Sequence, residues 1–203
     1  MEKTSRMIQS EQTRERIVAA ASRLFVRKGF AATSIADLAK AVKVTKGALY
    51  HHFESKEAIF FAVIEAIRSA WAHAVARQVV QSRDAIARLE ALLDGQARFL
   101  QSNESFCLVL NGLMMEMDGV NPRYLGALQQ VYAEMARFIQ QIVKKGQAAG
   151  QIRADLDPEL TALSIVGMIR GTGCSRPKAE RERVDYVTLM GTLKKVVLEG
   201  LKP

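Results

Sequence analysis

The stretch Thr33-Ser-Ile-Ala-Asp-Leu-Ala-Lys-Ala-Val-Lys-Val-Thr-Lys-Gly-Ala-Leu-Tyr-His-His-Phe53 decides the fold. Ser34 followed three residues later by Asp37 is a capping box, in which hydroxyl and carboxylate satisfy amides that a helix start leaves free. A helix therefore begins near Ser34. Ile35, Leu38, Ala39 and Val42 recur at the three-and-four spacing of one helical face, while Lys40 and Lys43 fall elsewhere. The run Val42 to Thr45, broken by Lys43, weakens helix propensity, and Thr45 can cap a second helix that begins at Lys46.

In that second helix Leu49 and Phe53 lie four apart and share a face. At about 100° per residue the opposite face carries Gly47, Ala48 and His51. Tyr50 sits on the flank with a hydroxyl able to reach a phosphate, and Lys56, at the start of the next helix, places a charge beside it. Two short helices joined by a tight turn, the second offering small and polar groups outward, have the shape of a helix-turn-helix DNA reader over residues 34–53.

Three segments in this order and spacing, Thr33-Ser-Ile-Ala-Asp-Leu-Ala39, Thr45-Lys-Gly-Ala-Leu-Tyr-His-His-Phe53 and Ser55-Lys-Glu-Ala-Ile-Phe60, resemble the TetR family of bacterial transcriptional regulators. The preceding helix agrees: Ile17, Ala20, Ala21, Leu24 and Phe25 form its apolar stripe, and Gly29 can adopt the left-handed cap that ends it. The resemblance covers residues 11 to about 71 and implies a reader domain at 11–71 followed by a helical effector-binding and dimerisation domain at 72–203. It implies that Thr33, Thr45, Lys46, Gly47, Ala48, Tyr50, His51 and Lys56 meet double-stranded DNA. Gly47 and Ala48 carry no hydrogen-bonding side chain, so direct base reading is thin. Ala48 can pack a thymine methyl and His51 can make one bond at a base edge, each worth about 1 kcal/mol of discrimination.

Composition supports this organisation. Four prolines, 13 glycines and long three-and-four periodicities in 203 residues favour an all-α fold of about nine helices, with no convincing strand. Residues 1–56 hold 11 Lys and Arg against 5 Asp and Glu, whereas residues 57–203 hold 18 against 16. A basic head joined to a nearly neutral remainder suits a phosphate-binding domain, because Lys and Arg displace condensed counterions from a duplex. Cys107 and Cys174 are 67 residues apart without CxxC or histidine at ligand spacing, which indicates neither a disulfide framework nor zinc and fits a reducing cytoplasm. The amino terminus lacks a signal-peptide core, and the most apolar run, Phe106 to Met117, is broken by Asn111 and Glu116 and is too short to span a bilayer; a soluble protein is expected.

From Ser55 one long helix is expected to run to about Gln81, followed by helices over 84–101, 104–117, 121–150, 158–171 and 184–200, with 173–183 a polar loop and Asp118-Gly119 and Gly150 as stops. The resemblance implies that the last two helices pair with a second subunit in a four-helix bundle. Val187, Met190, Leu193, Val197 and Leu201 form a clear stripe in the second of them, compatible with that pairing or with the subunit's own core.

His51 and His52 are adjacent on a helix and point about 100° apart, which argues against a metal pair. Gly171-x-Gly173 lacks the third glycine of a dinucleotide loop, position 176 being arginine, and no catalytic motif occurs, so neither cofactor nor enzymatic activity is expected. The resemblance places an inducer cavity among the middle helices, where Trp71, Phe99, Phe106, Cys107, Asn111, Met114, Met115, Tyr124 and Met168 supply adaptable side chains suited to a small lipophilic effector. The expected protein is a ligand-responsive homodimeric regulator, a repressor at a palindromic operator. The alternatives are a helical carrier or catalyst retaining the reader as scaffold, and a ligand-independent activator.

Overall fold

The computed structural model describes residues 2–82, 84–118, 121–173 and 178–203, with side-chain detail from Met7 onward except at 178 and 181. Gly119, Cys174 and the first part of the expected 173–183 loop lie outside the described residues. Every element among them is helical: α1 (Glu2–Lys28), α2 (Ile35–Val42), α3 (Lys46–His52), α4 (Lys56–Trp71), a π turn (Ala72–Ala76), α5 (Arg77–Val80), α6 (Ala85–Ser102), α7 (Glu104–Met117), α8 (Pro122–Ala148), α9 (Pro158–Thr172), α10 (Lys178–Arg183) and α11 (Tyr186–Leu201). They form two compact units, Met1–Arg68 with Leu108–Leu128, and Ser69–Cys107 with Gln129–Pro203.

Local chemistry explains most boundaries. Asp84, Asp157 and Asp185 each accept amide hydrogen bonds from the first turn of α6, α9 and α11, and Asn121 does the same for α8 ahead of Pro122. Gly29 ends α1 at φ +81° and Gly150 follows α8 at φ +68°, the left-handed region where a side chain is strained. Residues 178–183, expected as loop, form α10 instead. Ala179, Glu180, Glu182 and Arg183 are good helix formers, and their charge had masked that propensity.

The expected helix 55–81 is interrupted by the π turn. Ile67, Trp71, Val75 and Val79 follow at steps of four, which drift about 40° per step around a straight α-helix. The wider turn absorbs that drift and keeps Ile67, Val75 and Val79 buried. Gly95 of α6 lies opposite, where an added Cβ would stand 3.3 Å from Val75 Cγ1. By length and composition Lys56–Val80, and not the apolar run Phe106–Met117, is long and apolar enough to cross a membrane. Its inner face, Ile59, Phe60, Val63, Ile64 and Ile67, is spent on burial in the core.

In the first unit Phe60 is fully buried against Phe30, Phe61 and Tyr124, with ring centroids 5.2, 5.4 and 4.7 Å away. The Tyr124 hydroxyl donates to Glu57; burial and then that carboxylate hold the phenol above its usual range. In the second unit α6 buries Leu89, Leu92 and Leu93. Lys194 of α11 reaches Asp94 at 2.9 Å and Glu90 at 3.2 Å on α6, and those acceptors, Asp94 first, raise its pKa. Met190, Leu193, Val197 and Leu201 of α11 are buried in the same chain, so most of the stripe offered for a partner belongs to the subunit's own core; Val187 alone of that set is exposed.

Candidate nucleic-acid interface

The α2–turn–α3 segment is fastened at each end by backbone and side-chain bonds. Ser34 Oγ accepts from the Asp37 amide at 3.1 Å and Asp37 Oδ2 accepts from the Ser34 amide at 3.0 Å, completing the capping box. The Ser34 amide and then Lys28, at 3.0 Å, hold the Asp37 carboxyl far below the usual carboxylate range. Its folded pKa is depressed, so this contribution is in place above the ordinary carboxylate pKa and is lost only as pH falls towards the depressed value. α2 ends at Lys43, whose φ of 59° is left-handed and whose amide donates to the carbonyls of Ala39 and Lys40. Arg16 Nη2 donates to the Val42 carbonyl at 2.8 Å, securing the same end.

α3 starts where Thr45 Oγ1 accepts from the Ala48 amide at 3.1 Å, which leaves the hydroxyl proton to be donated elsewhere. Leu49 is fully buried and Phe53 nearly so, with the Arg14 guanidinium 4.5 Å over the Phe53 ring. Those two anchors fix the rotation of α3 about its axis. Lys46, Gly47, Ala48, Tyr50 and His51 consequently point to solvent, Tyr50 with half its surface exposed. Around Gly47 the nearest atom an added Cβ would meet is Thr45 Oγ1 at 3.9 Å, so nothing inside the chain requires glycine there.

Two residues expected at phosphates, Thr33 and Lys56, make bonds within the chain. Thr33 is fully buried and its hydroxyl donates to the Gly29 carbonyl at 2.7 Å. The Lys56 ammonium lies 4.4 Å over the Phe30 ring and donates to the carbonyls of Phe30, Thr33 and Ala31 at 2.9, 3.1 and 3.3 Å. An ammonium has three donors, and all three are spent on the turn between α1 and α2.

The residues expected around an effector are dispersed. Tyr124 is in the aromatic core of the first unit and Met115 is 84% exposed. Asn111 and Met114 are half-buried along the part of α7 that belongs to the first unit. In the second unit Phe99 is buried, Phe106 and Cys107 are half-buried, and Trp71 Nε1 donates to Gln96 Oε1 at 2.7 Å. Gln96, a buried amide in an apolar helix, was not among the expected residues; its signal in the sequence is a polar side chain among buried leucines. Met168 lines a groove of about 400 Å³ between α9 and α11, with Leu160, Ile165 and Val196. Arg170 lies 4.4 Å over the Tyr132 ring.

Comparison with known proteins agrees with this geometry. The model of the TetR family of bacterial regulatory proteins matches residues 17–63, and that of a tetracyclin repressor-like C-terminal domain matches residues 85–183. The transcriptional repressor DhaR of Mycobacterium sp. (strain GP1) is 28% identical over 198 residues, 94% of this chain and 92% of its own. The A-factor receptor protein of Streptomyces griseus is 29% identical over 160 residues, 79% of this chain and 53% of its own. The crystal structure of a TetR transcriptional regulator from Chloroflexus aurantiacus superposes with a TM-score of 0.78 at 26% identity, covering 94% of each chain. A reader helix locked by Leu49 and Phe53 inside a segment that the first model matches, and a helical remainder matched by the second, make this chain a member of the TetR family of bacterial regulatory proteins and a DNA-binding transcriptional regulator.

Proposed function

We propose that the protein is a homodimeric repressor released from a palindromic operator by a small lipophilic effector. The observation that carries the reading is the outward face of α3, where Lys46, Gly47, Ala48, Tyr50 and His51 are all exposed while Leu49 and Phe53 hold the helix in place. In this reading Ala48 and His51 meet base edges and Thr45, Lys46 and Tyr50 hold the phosphate backbone. Thr33 and Lys56 support the fold of the head.

The dimer is supported by an exposed apolar surface. Leu160, Leu163 and Val196 are 64%, 51% and 62% exposed on α9 and α11. Leu160, Leu163, Ser164, Gly167 and Gly171 fall on one side of α9, and an added Cβ at either glycine would meet nothing within 4 Å. Pairing through this face gives two heads, which adjacent major grooves require at a separation of about 34 Å. The effector reading is supported by the tetracyclin repressor-like domain and by a relative named as a receptor. Trp71, Phe99, Phe106, Cys107 and Met168 are the expected side chains that fall in the second unit and are suited to line such a site. An effector that binds better when the heads are misplaced for adjacent grooves must lower operator affinity, and operator must lower effector affinity by the same factor. α4 begins in the reader unit and ends in the other, and serves as the lever.

Selection from randomised duplexes, followed by titration of the selected operator, tests the assignment. Tyr50→Phe should weaken every duplex by a similar factor, Lys46→Ala should lower the slope of log affinity against log salt by about one, and His51→Ala should alter base preference. A selection that returns no consensus would sink the reading. Gly47→Ala separates fold from recognition. Within the free protein alanine removes the cost of a helical glycine, about 0.5–1 kcal/mol, so thermal stability should rise. In the groove its methyl should hold the duplex off, lowering operator affinity about tenfold, the cost of one lost base contact. Unchanged operator affinity in this variant would mean that another face of α3 meets DNA.

A further inference from the structure

The turn that ends α1 and leads into α2 is gripped by two opposite charges. Glu116, near the end of α7, accepts from the Phe30 amide through Oε2 at 2.7 Å and from the Ala31 amide through Oε1 at 2.6 Å. Lys56 donates to the carbonyls of the same turn. Gly29, left-handed at φ +81°, turns two successive amides towards the carboxylate, and an added Cβ there would stand 3.1 Å from Glu116 Oε2. Backbone conformation favours the glycine, and the acid lies close against it. The bonded amides are more than 80 residues away in sequence, and the whole arrangement lies within the first compact unit.

We infer that Glu116 is a positioning residue for DNA reading: by holding the Phe30 and Ala31 amides it sets where α2 begins, and through α2 where α3 lies against the groove. Each step of that chain is short and stiff. Thr33 Oγ1 bonds Gly29, Ser34 caps α2, and the three-residue turn Lys43–Thr45 joins α2 to α3. A carboxylate accepting two backbone amides forms charge-assisted bonds with little freedom to rotate. Glu116 is on α7, remote in sequence from every residue expected to touch DNA, so it acts through the turn and not through a phosphate.

The test compares the wild-type protein with Glu116→Gln and Glu116→Ala, full-length, on an operator selected by the wild type and on a scrambled duplex of equal length. Positioning predicts a graded loss on the operator, about tenfold or more for Glu116→Ala, the scale of one lost base contact, and less for Glu116→Gln, which keeps one acceptor. Affinity for the scrambled duplex should stay within about twofold and the salt slope should be unchanged, because no phosphate contact is removed. Amide exchange at Phe30 and Ala31 should speed up in the same order. Operator affinity that survives while those amides lose protection overturns the inference. So does a loss equal on both duplexes that tracks a lowered melting temperature, which is the mark of a merely structural role. Failure of the wild type to select any operator would instead count against the DNA-reading assignment.

Discussion

Leu163→Glu is expected to leave the protein monomeric and to weaken operator binding by about 10²-fold or more, the gain that linking two binding modules commonly supplies. Leu163 is half exposed on α9 beside Leu160, Ser164 and Gly167, so the substitution removes no contact from the subunit's buried core. In a paired face it would bury an unpaired carboxylate, whose desolvation opposes association strongly. The head of each monomer should remain intact. Light scattering on the purified variant should give the mass of one chain, its helical content should match the wild type, and its affinity for a single half-site should be unchanged. A variant that stays dimeric would exclude the α9–α11 face as the interface. A monomer that holds the full operator as tightly as the wild type would show that two joined heads are not what gives affinity.

Phe60→Ala should destabilise the protein by about 3–5 kcal/mol, the usual cost of emptying a large aromatic site. Phe60 is fully buried, and its ring meets Phe30 and Phe61 edge-on and Tyr124 at a tilt. Those pairs join the α1–α2 turn, α4 and the start of α8. Against a total stability of about 5–15 kcal/mol, the loss is a large fraction. Denaturant titration followed by circular dichroism should show the midpoint falling, and operator binding should fail through unfolding, so that cooling restores it. Gly47→Ala should do the reverse, raising the midpoint while weakening the operator complex. If Phe60→Ala kept its midpoint, the aromatic cluster would not be what holds the first unit together.

The capping box of Ser34 and Asp37, the Thr45 cap and the inward pair Leu49 and Phe53 were legible because each depends on residues within four positions of one another. Lys43 took the left-handed conformation without any sign in its side chain, since glycine is the usual marker for that geometry. Glu116 was visible only as a charge interrupting an apolar run. That it grips the α1–α2 turn depends on bonds to amides more than 80 residues away in the chain, which no local pattern encodes.

Thr33, Lys56 and Tyr124 have internal partners that no local pattern of the sequence shows. A threonine before a helix cap, a lysine beyond a recognition helix and a tyrosine at a helix start all have chemistry suited to a ligand. In the folded chain Thr33 and Lys56 satisfy carbonyls of one turn, and Tyr124 completes an aromatic core with its hydroxyl on Glu57. α11 carries the same lesson: its stripe had two possible partners, and the structure gives Met190, Leu193, Val197 and Leu201 to the subunit's own core.

By itself, the sequence determined most of the helical elements, though not α10 or the π turn, together with the turn between α2 and α3 and the side of α3 that faces outward, since short-range capping and periodic burial fix these within a turn or two of helix. Tertiary structure alone decided which polar groups remain free for DNA and which are consumed in holding the head together. A hydrogen-bonding side chain has one set of donors and acceptors, and whether a distant carbonyl or a solvent-borne partner takes them depends on what folding brings within about 3 Å.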